Sequence, residues 1–338
     1  MSKKWLGICF FILSSCGSKQ QILRIYNWID YISPEIYKQF EQETGIRVLE
    51  DAVTSSEEIY AKVKAGASNF DLIVPSLNYA TIMIEEDLIA SVDKAAIPNI
   101  TNVEPFILEE LKTVDPGQDY IMPFVFGPTV IAYDTSVIQE PVKGFEIYEN
   151  PNYKGRMMML GEMREVMSSA LLITGHQPGD YYPQAMNDAE NLIKKWKQNI
   201  LRFDSDSFQV AYANGEVDVV QGYIDTIWPS LGEERRKVTK FVIPDKGAMA
   251  WIDTFLVLKN APNKDAAMKF INFIHRPDIY AKLADYWGIN SINIPARSLM
   301  ETQPLISYKE MKRTTLLKDI GNEALGVQSR VWENIQAK

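Results

Sequence analysis

The stretch Ile22–Leu49, ILRIYNWIDYISPEIYKQFEQETGIRVL, decides the fold class. Ile22 to Tyr26 is rich in β-branched and aromatic residues and reads as a strand. Ser33 stands where a helix N-cap is needed. Pro34 follows at the first helical position, where its missing N–H costs nothing. Ile36, Tyr37 and Phe40 recur at helical spacing, Gly45 supplies a stop, and Ile46 to Leu49 returns to strand. Strand, helix, strand is the opening of an α/β sheet.

Outward from there the pattern repeats. Glu57–Lys64 reads as a helix capped by Ser55 or Ser56, Asp71–Val74 as a buried strand ended by Pro75, and Tyr79–Ile84 as the start of another helix. The run Ile121–Gly127 breaks this rhythm, after which Val130–Tyr133 is strand-like and a second α/β series begins. That series has a helix near Asp188–Gln198, a helix before Gly215, and strands at Val217–Val220 and Phe255–Leu258. Asn263 opens an amphipathic helix carrying Ala267, Phe270, Ile271 and Ile274 on one face, and Pro277 starts the next. Two α/β series joined by a Pro/Gly-marked extended segment predict a two-lobed α/β protein.

The N-terminus carries a different message. Lys3 and Lys4 precede the apolar run Trp5–Leu13, and Ser14-Ser15-Cys16 follows. Basic residues, an apolar run and small residues make a secretory signal over residues 1–15, and the Cys after them resembles a bacterial lipobox. Cys16 would then be the lipidated first residue of the mature chain and 16–21 a tether. Removing 1–15 takes away two lysines and no acid, so the net charge moves from −9 to −11. Such a chain repels phosphates and is a poor nucleic-acid binder. Cys9 lies in the signal, so no intramolecular disulfide is available. No apolar run after the signal nears the ~20 residues of a membrane span, so anchoring rather than spanning is expected. His176 and His275 stand alone, which argues against a zinc site; no metal and no cofactor are expected. The run Lys194, Lys195, Lys197 reads as a solvated helix face, and Met157–Met159 as core.

Aromatics and acids gather where the strands end, the place at which open α/β sheets bind ligands. The groups are Tyr26–Tyr31, Pro75–Tyr79, Glu162–Glu165 and Trp251–Asp253. With FEQETGIRV at 40–48, DLIVPS at 71–76, Tyr153–Gly155, Gly215–Val217, NFIHRPD at 272–278, Asn293 and Ala296–Arg297, they form one ordered set. That set resembles the bacterial periplasmic spermidine/putrescine-binding proteins, the capture components of polyamine ABC importers. The pairing of Asn27-Trp28, Asp30-Tyr31 and Trp251, Asp253 is the most specific part.

The resemblance implies a periplasmic-binding-protein fold of type II character, with a ligand cleft between lobes and a hinge near Phe124–Gly127. Lobe one would hold 20–124 and 253–297, lobe two 128–250 and 298–338. It also implies roles. Asp253 would neutralise one amine against the wall of Trp251, with Glu165 sharing that charge. Asp30 and Glu162 would hold the other ammonium, with Ser76 hydrogen-bonding there. Trp28 and Tyr31 match aromatic positions, Tyr223 falls near a family Trp, and Asn78 or Tyr79 aligns with a cleft-facing Tyr. Arg164 would orient a carboxylate. The chemistry agrees: each buried ammonium needs a carboxylate, and the alkyl chain needs flat aromatic walls that add cation–π attraction of about 0.5–2 kcal/mol each. Ile289 and Leu317 fall where the family carries a Tyr and a Gln, so the pocket is expected to accept putrescine at least as well as spermidine. The expected partners are a polyamine, an inner-membrane ABC permease and a lipid anchor in the membrane facing the periplasm, with the protein a monomer that performs no chemistry. Two other readings stay open: a secreted hydrolase using Glu162 and Glu165 as acid and base, and the same fold holding another cationic solute or a metal such as iron.

Overall fold

The computed structural model describes residues 20–53, 55–66 and 69–337. Cys9, Cys16 and the expected signal peptide lie outside them. The described residues contain strands β1 (Ile22–Trp28), β2 (Arg47–Val53), β3 (Leu72–Ile73), β4 (Met122–Asp134), β5 (Met157–Met159), β6 (Arg202–Phe203), β7 (Val219–Tyr223), β8 (Thr239–Val242), β9 (Ala248–Val257) and β10 (Thr314–Leu316). The opening unit forms as its residues dictate. Ser33 is extended ahead of helix Pro34–Thr44, which buries Ile36 and Phe40, and Gly45 ends it in the left-handed conformation at φ 72°. Ser55 caps helix Ser56–Lys64 by accepting from the Glu58 N–H.

Strand order is β2-β1-β3-β9-β4-β7-β5-β6, with β8 beside β4 and β10 beside β9. Two halves of the same plan are visible in it. In the first, β2, β1 and β3 are parallel and β9 joins antiparallel. In the second, β6, β5 and β7 are parallel and β4 joins antiparallel, followed by β8. Each half thus borrows a strand that arrives from the other, which is what makes the protein two-lobed. An apolar core fills each half, and a third, smaller cluster with Met158, Leu160, Phe208, Tyr212 and Val220 lies beside the second. Leu23, Phe40, Phe124, Phe255, Phe270 and Trp287 pack in the first. Ile131, Tyr148, Met157, Met159 and Trp196 pack in the second.

The strand β4 departs from expectation. The sequence suggests an extended hinge segment before a strand at Val130, yet one strand of 13 buried residues runs through both. Its first part pairs with β9 and its second with β7 and β8. Pro123 is tolerated because the register slips between Pro123 and Val125, where a bulge removes the need for a ladder donor. Residues 298–338 divide between the two cores: Ile306, Met311 and Leu316 pack in the first, and Ile335, with Val327, Val331 and Trp332, packs in the second.

His275 is a structural residue: it is fully buried, with its ring nitrogens 2.8 Å from the carbonyl oxygens of Ile271 and Pro123. No helix among the described residues is long and apolar enough to cross a membrane.

Candidate functional site

The chain turns sharply after β1. Asp30 adopts φ 55°, a conformation that Asp tolerates better than most residues, and Tyr31 N–H returns to the Trp28 carbonyl at 3.3 Å. This turn aims the Tyr31 ring inward. Its centroid lies 5.7 Å from both Phe124 and Trp287, the Trp287 indole N–H donates to its carbonyl, and its hydroxyl donates to Asp253 Oδ2 at 2.6 Å.

Asp253 lies on β9 and is held from a second side. Ser76, just past β3, forms an antiparallel bridge with it and donates from Oγ to Oδ1 at 2.8 Å. The neighbouring Thr254 fixes the strand by donating from N–H and hydroxyl to the Pro75 carbonyl, each at 3.0 Å. Burial pushes the Asp253 carboxyl up to about 6, against the pull of the Tyr31 and Ser76 hydroxyls.

The second lobe contributes two more acids. Glu162 is the N-cap position of helix Met163–Thr174, and Glu165 lies in its first turn. Glu165 is buried and accepts from Thr129 Oγ1 at 2.9 Å. Burial, then the charge of Glu162, raises its carboxyl to about 8. Glu162 is more exposed and accepts from Tyr223 Oη at 3.2 Å; loss of hydration among its neighbours still raises its carboxyl against the pull of that hydroxyl, with the charge of Glu57 adding to the effect. Tyr223 closes β7 and meets Trp251 edge-on, centroids 6.2 Å apart. Trp251 pairs in register with Gly127 of β4, and a Cβ on Gly127 would stand 2.3 Å from the indole ring. The glycine thus lets the ring lie flat on the strand.

The structure brings Tyr31, Ser76, Asp253, Trp251, Tyr223, Glu162 and Glu165 around the middle of β4 and β9. Trp28 abuts this group through Tyr31 at 6.4 Å. Asn78, two residues past Ser76, is half-buried, and Tyr79 donates to Glu57 Oε1 at 2.8 Å. Asp30 is not drawn in. It is exposed and lines a groove of about 640 Å³ with Ile32, Glu35, Lys282, Asp285 and Tyr286, which shares no residue with the carboxylate group. The left-handed turn that points Tyr31 inward sends Asp30 outward. Arg164 donates to the Lys318 carbonyl at 2.9 Å and lowers the Glu165 carboxyl, an orienting position at the edge of the acids.

One acid escaped the sequence reading. Asp225 lies two residues past β7, in the first turn of helix Ile224–Ser230, and is pushed up to about 7 by burial and by the charge of Asp253. The strand-end rule would have found it. The sequence suggests that the strand stops at Val220, whereas β7 runs to Tyr223. No cationic side chain among the described residues pairs within 4 Å of Asp225, Asp253, Glu162 or Glu165. The described residues also hold no cluster of metal-ligating side chains. Aromatic faces beside unneutralised acids make a receptor for an organic cation.

Comparison with known proteins agrees on the class. A model of the bacterial extracellular solute-binding proteins matches residues 35–312. The spermidine/putrescine-binding periplasmic protein of Escherichia coli (strain K12) is 32% identical over 83% of this chain and 80% of its own. The structure of the Tp0655 (TpPotD) lipoprotein of Treponema pallidum superposes with a TM-score of 0.87 at 29% identity, over 94% of this chain and all of that one. The spermidine/putrescine ABC transporter substrate-binding protein PotD of Streptococcus pneumoniae gives 0.86 at 27% identity, over 94% and 99%. None of these names denotes a hydrolase.

Proposed function

The chain belongs to the bacterial extracellular solute-binding protein family, and on that premise we propose that it captures a polyamine outside the cytoplasm and hands it to an ABC permease. The observation that carries this reading is the group Asp225, Asp253, Glu162 and Glu165, all raised by burial or crowding and walled by Tyr31, Tyr223 and Trp251. Carboxylates in that state gain most from a ligand that brings its own positive charges. An alkyl diamine or triamine does so at two ends while its methylenes lie on the rings.

Asp253, Ser76 and Tyr31 would hold one ammonium, Glu162 and Glu165 the other, with Trp28, Asn78 and Tyr79 lining the approach. Ile289 is buried and apolar, and Leu317 spends its N–H on the Ala250 carbonyl. Neither side chain offers a polar contact, so putrescine is accepted at least as well as spermidine. Lobe one would comprise about 20–124, 253–297 and 306–316, lobe two about 128–250 and the terminal helix. Closure of the two on the ligand lets ammonium groups bridge carboxylates that otherwise repel, which favours the closed form. The acids bind and do not catalyse; the protein is not an enzyme. A lipid on Cys16 would tether it as a monomer at the membrane, facing the periplasm.

Isothermal titration of residues 17–338 with putrescine, spermidine and a panel of neutral sugars tests this. Polyamine heat without sugar heat is expected. Sugar heat, or no heat with either amine, overturns it.

A further inference from the structure

Trp228 lies outside the ligand group, yet it joins the two lobes. It belongs to helix Ile224–Ser230, which leaves β7 just after Tyr223 and is rooted in lobe two by Ile227. Within that lobe the indole is propped on two sides. Its ring meets Phe241 at 6.3 Å, and the Arg236 guanidinium lies 4.6 Å over it while donating to the Trp228 carbonyl at 3.1 Å. A third side belongs to lobe one. Gly288 ends helix Pro277–Trp287 in the left-handed conformation at φ 69°, and a Cβ there would stand 2.7 Å from Trp228 Cδ1 and 3.0 Å from Leu305 Cδ1. Glycine is thus needed twice, for the turn and to leave a notch that the indole edge fills. Leu305 packs against the first core and lines the same notch. Gly288 follows Trp287, whose indole N–H donates to the Tyr31 carbonyl at 3.1 Å, and Tyr31 in turn holds Asp253. The helix of Trp228 starts beside Tyr223, which faces Trp251. Each half of the contact therefore sits on a helix that leads to a wall of the cleft.

Resting on the reading that the lobes close on a polyamine, we propose that Trp228 is a positioning residue: it docks in the Gly288 notch as the lobes close, latches the closed form, and holds Trp287 and Tyr31 where Asp253 needs them. The contact is apolar and made between protein groups alone. Opening returns the indole edge and the Leu305 side chain to water, so the contact lowers the free energy of the closed form only. A ligand that needs the closed form gains the same amount whatever its length or number of amines. The latch thus governs how long a ligand stays, and leaves the choice of ligand to the acids and aromatic walls.

The test uses residues 17–338, which contain no Cys. Lys38→Cys in lobe one and Lys195→Cys in lobe two, both at exposed positions, carry a pair of spin labels. Wild type, Trp228→Ala, Trp228→Phe and Leu305→Ala are compared by label distance, and by affinity and dissociation rate for putrescine and spermidine. Trp228→Ala should shift the labels to longer distances with and without ligand. It should speed dissociation of both amines by about tenfold and leave association and the ratio of the two affinities unchanged. Trp228→Phe should recover part of the loss, and Leu305→Ala should show the same pattern more weakly. Those two variants carry the comparison if Trp228→Ala does not fold. A lower melting temperature with wild-type distances and dissociation rates makes Trp228 a packing residue of lobe two and overturns the proposal. A changed ratio of amine affinities puts the indole on the ligand and overturns it as well. Wild type that binds neither amine overturns the polyamine reading. The ligand-free distances then decide the latch by themselves: longer in Trp228→Ala upholds it, and equal to wild type overturns it.

Discussion

Ser76 and Asp253 meet twice: their backbones form an antiparallel bridge, and Ser76 Oγ donates to Asp253 Oδ1 at 2.8 Å. The residues are far apart in sequence, yet strand pairing fixes the carboxylate before any ligand contact is considered. Tyr31 supplies the second hydroxyl at 2.6 Å from a loop that Trp287 holds in place. The acid is preorganised by three chain segments, so little ordering remains for a ligand to impose.

Removing that charge should be severe and removing its props milder. Asp253→Asn is expected to weaken polyamine binding by more than about tenfold, because a desolvated ammonium loses its partner. Ser76→Ala should cost about 1 kcal/mol, or roughly fivefold in affinity, because one hydroxyl to a charged group is lost while the bridge remains. Calorimetric titration ranks the two; equal effects would mean that Ser76 itself touches the ligand.

Affinity should also rise with pH. Asp253 lies at about 6 and Glu165 at about 8, both above the ordinary carboxylate range. Alkyl ammonium groups stay charged throughout. Below pH 6 a ligand must expel protons from both carboxyls, and that cost disappears as pH passes through 6 to 8. Titrations from pH 5.5 to 8 in buffers of different ionisation heat should show proton release and a rising binding constant. A flat profile removes both acids from the ligand.

Much of this arrangement was legible in the sequence, for physical reasons that can be named. The turn chemistry of Ser33-Pro34 and Gly45 set the first helix, and the strand-end rule singled out Ser76 beyond β3 and Pro75, whereas Trp251–Asp253, expected just ahead of a strand at Phe255, lie inside β9. What escaped was tertiary. Pro123, Gly127 and Pro128 read as a break, and only a bulge and pairing on two lobes keep them in β4. Asp225 escaped because Gly222 and Tyr223 extend β7 beyond its β-branched stretch. The resemblance groups Asp30 with the other acids, and a residue-by-residue match does not reveal the turn at φ 55° after which Asp30 stands exposed on a separate groove.

Glu165→Gln should separate binding from stability. The folded carboxyl is raised, so its contribution is fully present below the ordinary value near 4.5 and is lost as pH climbs toward 8. Gln keeps an oxygen for the Thr129 hydroxyl and carries no charge to desolvate. The ligand-free variant should therefore match wild type near pH 4 and exceed it by on the order of 2–4 kcal/mol at pH 8. Its polyamine affinity should nonetheless fall. Denaturant melts at several pH values, paired with titrations, check both halves; a pH-independent difference would contradict the burial of this charge.

Gly127→Ala tests how the aromatic wall is seated. The residue pairs with Trp251 across β4 and β9, and an added methyl would stand 2.3 Å from the indole ring. Trp251 is also in edge contact with Tyr223, so the ring cannot retreat without disturbing the partner of Glu162. Overpacking of this kind costs about 1–3 kcal/mol. Because β4 pairs with both halves of the sheet, the strain should reach the cleft. The expected result is a lower melting temperature together with weaker polyamine binding, and partial recovery of both when Trp251→Phe shortens the ring in the same chain. Loss of stability with wild-type affinity would show that the indole position at Gly127 serves packing and not the ligand.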